Sequence, residues 1–409
     1  MAEMNTRMGN GQSEDAPVVQ YVQQLLEQAV AIQASDLHFE PYEHHYRVRM
    51  RVDGQLREMA TPPMALKDRL ASRIKVLSRL DIAEKRLPQD GRMKLLLPSG
   101  REIDLRVSTL PTLFGEKLVI RVLDSQQVQL DLRQLGYEPE DLNRLMDAVR
   151  MPHGMVLVTG PTGSGKSTTL AALLHHLNVT QPLHILTLED PIEFEHQSAR
   201  SLVQQRNVPG HCASFDTALR AALRQDPDVI FLGEIRDQET AQIATRAAMT
   251  GHLVLSTLHT NDAATTPGRL IDMGIPPYLI ASTLLGVLSQ RLLRVICTYC
   301  KEPYTPNDDE SAWLKHHVKE PVAAGSLAHG KGCTRCNGFG YSGRTGVHEI
   351  LEMTPPLARA LRSGDLSEFE REAADFMGNT TIEHRVIALM LAGETTVAEA
   401  MKVVSWAED

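Results

Sequence analysis

Aromatic residues are scarce in this chain of 409 residues, 4% of the total, and no basic stretch is interleaved with them. That removes the stacking platform on which single-stranded nucleic acid is held. An excess of positive charge is missing as well. Lys and Arg number 42 against 51 Asp and Glu, a formal net charge of −9, which speaks against a dedicated nucleic-acid binder. No run approaches the ~18 apolar residues of a membrane span. The start Met-Ala-Glu-Met-Asn has neither a basic n-region nor an apolar h-region. The chain is expected in the cytosol, with any membrane contact made through a protein partner. Cysteine is sparse: Cys212 stands alone beside two C-x-x-C pairs, and in a reducing compartment such pairs suggest a metal before a disulfide. The remaining composition, 42% hydrophobic and 23% charged, is that of a soluble globular protein. Its length suits about two to three domains.

What the chain does contain is Gly160-Pro161-Thr162-Gly163-Ser164-Gly165-Lys166-Ser167, which fits the phosphate-loop pattern G-x-x-x-x-G-K-[ST] at every fixed position. The apolar run Met155 to Val158 enters it as a strand, and Thr168 to Leu177 leaves it as a helix rich in Leu and Ala. Glycines and small neighbours let successive backbone N–H groups turn inward on an anion, and the helix N-terminus adds partial positive charge. Residues 160–168 therefore read as an ATP site, with Lys166 on the β- and γ-phosphates and Ser167 holding magnesium.

Residues 1–15 are polar without apolar periodicity and read as a loose tail. From Pro17, the residues Val18, Val22, Leu25, Leu26, Ala29 and Val30 recur at helical spacing. Tyr46, Val48, Met50 and Val52 alternate with Arg47, Arg49 and Arg51 and run into Asp53-Gly54. This is a half-buried strand entering a hairpin whose second arm is Gln55 to Met59. A helical segment, Leu66 to Leu80, precedes a loop at Arg86 to Arg92. Strands follow at Ile103 to Val107 and Leu118 to Val122, with Arg106 and Arg121 on the less apolar faces. Residues 16–124 thus read as a small α+β domain and 125–134 as a polar hinge. From Leu135 to residue 409 strands alternate with helices, the grammar of an α/β domain with a mostly parallel sheet.

Strand Ile185 to Leu188 ends in Glu189-Asp190-Pro191-Ile192-Glu193, which puts carboxylates where the strand ends of open α/β sheets meet ligand. Glu189 is a candidate to orient metal or attacking water, although a solvated acidic loop has the same composition. Strand Val229 to Leu232 ends in Gly233-Glu234. Gly233 takes the place of the Asp that usually serves the metal there, so magnesium falls mainly to Ser167, phosphate oxygens and water, and Glu234 is left to polarise a water. The competing reading of Glu234 is an acid at a helix start. The strand at Leu253 to Leu255 leads to His259, a candidate sensor of the γ-phosphate, although a lone histidine is more often structural. Arg220, Arg224 and Arg236 crowd the same region with guanidinium groups suited to phosphate. Cys297 and Cys300, then Cys333 and Cys336 after 32 intervening residues, supply two knuckles for one structural zinc in a subdomain spanning 297–343. Neither pair has the strand and helix context of a redox dithiol. After Thr345 the chain reads as mainly helical, with Thr396 and Glu399 as a capping box.

Together these residues resemble the secretion ATPase superfamily, specifically the type II secretion and type IV pilus assembly ATPases. The likeness covers nearly all of residues 16–409. Its carriers are Ser35-Asp36-Leu37-His38, Arg86 to Arg92, Arg106-Val107-Ser108-Thr109, Gly160 to Ser167, Glu189 to Glu193, Asp226 to Asp237, Thr250 to Asp262 and the cysteine pairs. The resemblance implies a PAS-like N-terminal domain hinged to a RecA-like ATPase domain. It further implies a homohexamer on the cytoplasmic face of the inner membrane, working with a platform protein and a membrane anchor. By resemblance Glu189 to Glu193 is the Asp box, Gly233-Glu234 the Walker B end and His252 to His259 the His box, while Arg106 and Arg121 reach nucleotide phosphates. Glu189 to Phe194 and Leu284 to Leu292 look closer to type II secretion than to pilus extension. The function implied is ATP hydrolysis powering pseudopilus assembly and protein export, with pilus extension as the alternative. Pilus retraction is a third possibility, on which a zinc measurement bears because retraction ATPases lack the tetracysteine segment, and a nucleic-acid translocase is disfavoured by the acidic balance. Set against that family, the sequence reads as either a shortened or an atypical short member without the additional N-terminal domain that recruits such motors to their anchor.

Overall fold

The computed structural model describes residues 12–404 apart from 124–130, 209, 211, 213, 319–321, 323 and 324. The chain divides into two compact units, Met1–Val128 and Gln129–Asp409.

In the first unit helix α1 (Gln12–Ala31) buries Val18, Val22, Leu25, Leu26, Ala29 and Val30, the face its spacing predicts. Residues 12–15, expected in a tail, belong to this helix, and the rest of that tail lies outside the described residues. The strands are β1 (Asp36–Pro41), β2 (Tyr46–Val52) and β3 (Gln55–Ala60), then, after helix α2 (Lys67–Leu77), β4 (Gln89–Leu96), β5 (Glu102–Thr112) and β6 (Gly115–Leu123). They form one antiparallel sheet in the order β3-β2-β1-β6-β5-β4. The alternation predicted for β2 is present, with the apolar residues buried and the arginines half-buried. Arg47 and Arg49 both donate to Glu40, at 3.1 and 2.7 Å. Gln89 to Arg92, expected in a loop, instead begins β4 and pairs with β5.

The second unit is built on a seven-stranded sheet. Its elements are α3 (Pro139–Val149), β7 (Gly154–Thr159), α4 (Lys166–Thr180), β8 (His184–Glu189), β9 (Leu202–Asn207), α5 (Phe215–Ala222), β10 (Val229–Leu232), α6 (Gln238–Met249) and β11 (Leu253–Leu258). Then come α7 (Thr266–Asp272), α8 (Pro277–Thr283), β12 (Leu284–Ile296), β13 (Lys301–Pro303), α9 (Asp308–His317), β14 (Ala328–Gly330) and β15 (Tyr341–Glu352). Helices α10 (Pro355–Ser363), α11 (Leu366–Met377), α12 (Ile382–Leu391) and α13 (Val397–Val404) end the described chain. The strand order is β15-β12-β7-β11-β10-β8-β9, parallel throughout except for the antiparallel β12–β15 pair. Successive residues of β7 serve opposite helix layers, as the two-residue period of a strand requires. Met155 and Leu157 pack with α5, α6, α8, α10 and α11, while Val156 and Val158 pack with α3 and α4. Burial on both faces is the usual state of a parallel sheet with crossover helices.

The chain after Thr345 differs from the helical expectation. It stays in β15 as far as Glu352, and only then turns helical. At the start of α13 half of the expected capping box forms. The N–H of Glu399 donates to Thr396 Oγ1 at 3.2 Å, but the Glu399 carboxylate turns to Arg294 at 2.8 Å and Lys402 at 2.7 Å. Of the expected hinge, residues 125–130 lie outside the described residues and Leu132–Gln134 is a single 3-10 turn. Among the described residues no helix is long and apolar enough to cross a membrane.

Candidate nucleotide site and cysteine cluster

β7 ends at Thr159 and α4 begins at Lys166, so the glycine-rich loop joins a strand to a helix as its motif requires. Lys166 folds back on that loop, its Nζ donating to the carbonyls of Gly160 at 2.7 Å and Pro161 at 3.1 Å. Burial pushes this amine down to about 8; Glu234 pulls the other way, Arg291 adds to the fall and Glu193 opposes it. The hydroxyl of Ser164 is buried and has no hydrogen-bond partner among the described residues. Ser167 stands exposed in the first turn of α4 with Thr168 half-buried beside it. An orphan hydroxyl, an ammonium bonded to neutral carbonyls and a helix N-terminus make a donor set that fits a polyphosphate. The exposed Ser167 hydroxyl, with carboxylates on the neighbouring strand ends, offers the oxygen ligands that suit magnesium.

The acids arrive by strand order. β8, β10 and β11 run parallel to β7, with Leu258 opposite Thr159 and Leu232 opposite both Ser256 and Leu188. Their C-terminal ends therefore leave the sheet along one edge, the edge from which the phosphate loop emerges. Glu234 follows β10. Its carboxylate is bonded to Arg236 and lies 3.6 Å from His259 Nε2, and Arg236 also reaches Asp190 at 3.6 Å. The Arg236 hydrogen bond holds the Glu234 carboxyl below its ordinary range. Glu189 is set differently. It is buried at the end of β8, accepting from Thr187 Oγ1 at 2.8 Å and Gln205 Nε2 at 3.1 Å, and burial raises its pKa. The acids that act on Lys166 are Glu234 and Glu193.

Gly233 has a physical reason for standing where an Asp was expected. Its N–H donates to Leu188 O at 2.8 Å, and a Cβ there would lie 3.3 Å from that oxygen and 3.5 Å from Glu189 Cα. Strand contact leaves a side chain little room.

Arg220, Arg224 and His252 bond elsewhere within the second unit. Arg220 pairs with Glu239 at 2.9 Å and Arg224 donates to Arg220 O at 3.0 Å, so of the three arginines Arg236 alone contacts Glu234. His252 bonds the Ala247 carbonyl at the end of α6. Arg106 and Arg121 face each other in register on β5 and β6 of the first unit, where Arg121 bonds Asp36 at 3.1 Å. Two residues of β12 behind the phosphate loop, Gln290 and Arg291, belong to the stretch Leu284 to Leu292 that carries part of the resemblance, but neither spacing nor motif gives them a role at the site.

The four remaining cysteines form one cluster whose Sγ atoms all lie within 4.8 Å of one another. Cys297 Sγ is 3.9 Å from Cys333 Sγ, Cys300 Sγ 3.8 Å from Cys336 Sγ, and Cys333 Sγ 3.7 Å from Cys336 Sγ. Backbone N–H groups of Cys333 and Gly340 donate to Cys336 Sγ at 3.2 and 3.3 Å. Such sulfur–sulfur edges are those of a tetrahedron about 2.3 Å from centre to corner, so the cluster fits zinc.

A phosphate loop at the mouth of a parallel sheet, with a glutamate and a histidine at the adjoining strand ends, defines a P-loop ATPase. Within that class, the model of the Type II/IV secretion system protein family matches residues 11–402, and the chain belongs to that family. It is 48% identical over 393 residues to the type II secretion system protein E of Dickeya dadantii, covering 95% of this chain and 76% of that one. It is 45% identical over 405 residues to the type IV pilus assembly ATPase PilB of Acinetobacter baylyi, covering 96% and 67%. Among solved structures it resembles the pilus retraction motor PilT with bound ADP, at 27% identity and a TM-score of 0.63 over 93% of this chain and 96% of that one. The resemblance read from the motifs holds, and the chain is an ATP hydrolase of the secretion kind.

Proposed function

We propose that this chain is the hexameric motor of a type II secretion machine, hydrolysing ATP on the cytoplasmic face of the inner membrane to drive pseudopilus subunits through a platform protein. The observation that carries the reading is Glu234, held between Arg236 and His259 on the sheet edge where the phosphate loop emerges. Lys166 and the loop N–H groups gather the β- and γ-phosphates. Ser167 would hold magnesium, which would supply positive charge against that developing on the phosphate oxygens. Glu234 takes the water proton, Glu189 supports the acidic edge from a buried position, and His259 senses the γ-phosphate beside Glu234. Arg106 and Arg121, on the PAS-like first unit, supply further cations to the phosphates, and the zinc subdomain serves docking to a partner or neighbouring subunit.

Lys166→Ala is expected to abolish turnover, and Glu234→Gln to keep ATP binding while losing hydrolysis. Parent-like turnover in Lys166→Ala would refute the site. Type IV pilus extension is the second reading, favoured by the 45% identity to a PilB. Complementation separates the two, since the chain should restore export in a strain lacking its type II secretion ATPase and leave a strain lacking PilB without pili.

A further inference from the structure

We propose that Gln290 is a positioning residue for the phosphate loop, its side-chain amide tying the loop to the helix behind it so that the Gly165 N–H stays turned toward the phosphates. The proposal rests on reading residues 160–168 as an ATP site. β12 runs parallel to β7 with Ser289 opposite Thr159, so residue 290 is the first to lie level with the loop. Gln290 is 3% exposed. Its Nε2 donates to the Ser164 carbonyl at 2.8 Å, and its Oε1 accepts from Thr169 Oγ1 at 2.7 Å. A carbonyl can only accept, so the Ser164 contact fixes which end of the amide faces the loop.

The consequence follows from peptide geometry. In a trans peptide the C=O and the next N–H point in opposite directions across one plane. Ser164 O is anchored to Gln290, so the N–H of Gly165, in the same peptide plane, faces away from β12. The approach is close at both fixed glycines of the motif. A Cβ at Gly165 would lie 2.6 Å from Gln290 Nε2, and one at Gly160 would lie 2.5 Å from Gln290 O. One residue of β12 therefore backs both ends of the loop. Thr169 extends the tie, since Tyr137 Oη donates to its hydroxyl at 3.4 Å.

Gln290→Met keeps the volume and removes both hydrogen bonds. Loss of a buried amide paired at both its nitrogen and its oxygen is expected to raise the ATP Kd, measured by titration with Mg-ATP, roughly 10- to 100-fold. KM should rise with it while kcat changes by less than about threefold, because positioning of phosphate acts alike on bound substrate and transition state. A parent KM with a lowered kcat is the signature of lost folded protein and would overturn the proposal. Thr169→Val, which removes the donor to Oε1 together with the acceptor for Tyr137 Oη, provides the same test in a milder variant. Its KM should exceed that of Thr169→Ser, which keeps the hydroxyl, and equal values would count against the tie. Parent protein that bound no ATP would overturn the ATP-site reading itself. Parent-like Kd in Gln290→Met, with an ATP-binding parent, would overturn the positioning role alone.

Discussion

Removing the metal from the cysteine cluster is expected to loosen residues 297–343 and leave ATP binding intact. The sulfur edges of 3.9, 3.8 and 3.7 Å are those of a tetrahedron with a centre about 2.3 Å from each corner, the zinc–thiolate distance. A disulfide needs its sulfurs about 2.05 Å apart, so no pair is placed to close one without movement. The cluster joins the chain leaving β12 at Cys297 to the chain entering β15 at Tyr341, and the apolar contacts within it are those of the cysteines themselves. Backbone bonds from Cys297 N–H to Gly340 O at 3.0 Å and from Lys331 N–H to Cys300 O at 3.1 Å also tie the two knuckles together, and binding of a structural zinc contributes on the order of 10 kcal/mol to such a segment. Gln290 lies within β12, and Cys297 directly follows its last residue, Ile296. At about 3.3 Å per residue they are roughly 23 Å apart, too far for the metal to touch the nucleotide. X-ray absorption should show four sulfurs at about 2.3 Å around about one zinc per chain. Cys333→Ser should lose the zinc, exchange amide hydrogens at least about tenfold faster across 297–343, and keep its ATP Kd within about twofold. A mixed nitrogen and sulfur shell, or ATP affinity that falls together with zinc content, would refute the reasoning.

Three other predictions concern the chemical site. Lys166 carries its charge below about 8, and bound phosphates favour the charged form, so ATP affinity should fall about tenfold from pH 7 to pH 9; a flat profile would show an ordinary lysine. For stability the sign is opposite, because the native state holds this proton less tightly than the unfolded chain, and the lysine's contribution improves as pH rises from about 8 to about 10.4. Glu189→Gln should stay within about tenfold of parent turnover while Glu234→Gln loses at least about a hundredfold, since Glu189 is buried on Thr187 and Gln205; equal losses would give both acids the same role. Arg236→Ala should move the acid limb of the pH–rate profile upward, because Arg236 is the main group holding the Glu234 carboxyl low, and an unmoved limb would exclude Glu234 as the base.

The parts legible in the sequence are those whose chemistry demands contiguous residues. An anion enclosed by backbone N–H groups needs one unbroken loop, so Gly160 to Ser167 stands out without reference to anything else. The two cysteine pairs stand out for the same reason, each knuckle being local. β2 was legible because one face is more buried than the other, and Arg47 to Arg51 marks the period. β12 was not: Leu284–Ile296 is buried along nearly its whole length, so its apolar run carries no alternation to separate strand from helix. β15 fails for a related reason, since Val347 to Leu351 is buried throughout although it includes His348 and Glu349, so polarity does not mark its faces.

Selection among the arginines was also beyond the sequence, since Arg220, Arg224 and Arg236 differ in what the fold brings to them. Glu239 takes the first, a helical carbonyl the second, and Glu234 the third. Gln290 is the limiting case, because it meets Ser164 across 126 residues of chain and does so only through the placement of β12 beside β7. A loop that wraps phosphate must be continuous, whereas a side chain that holds the loop from behind need only occupy the adjoining strand, at any distance along the sequence. The motif therefore announces the reaction, and its support emerges only with the order of the strands.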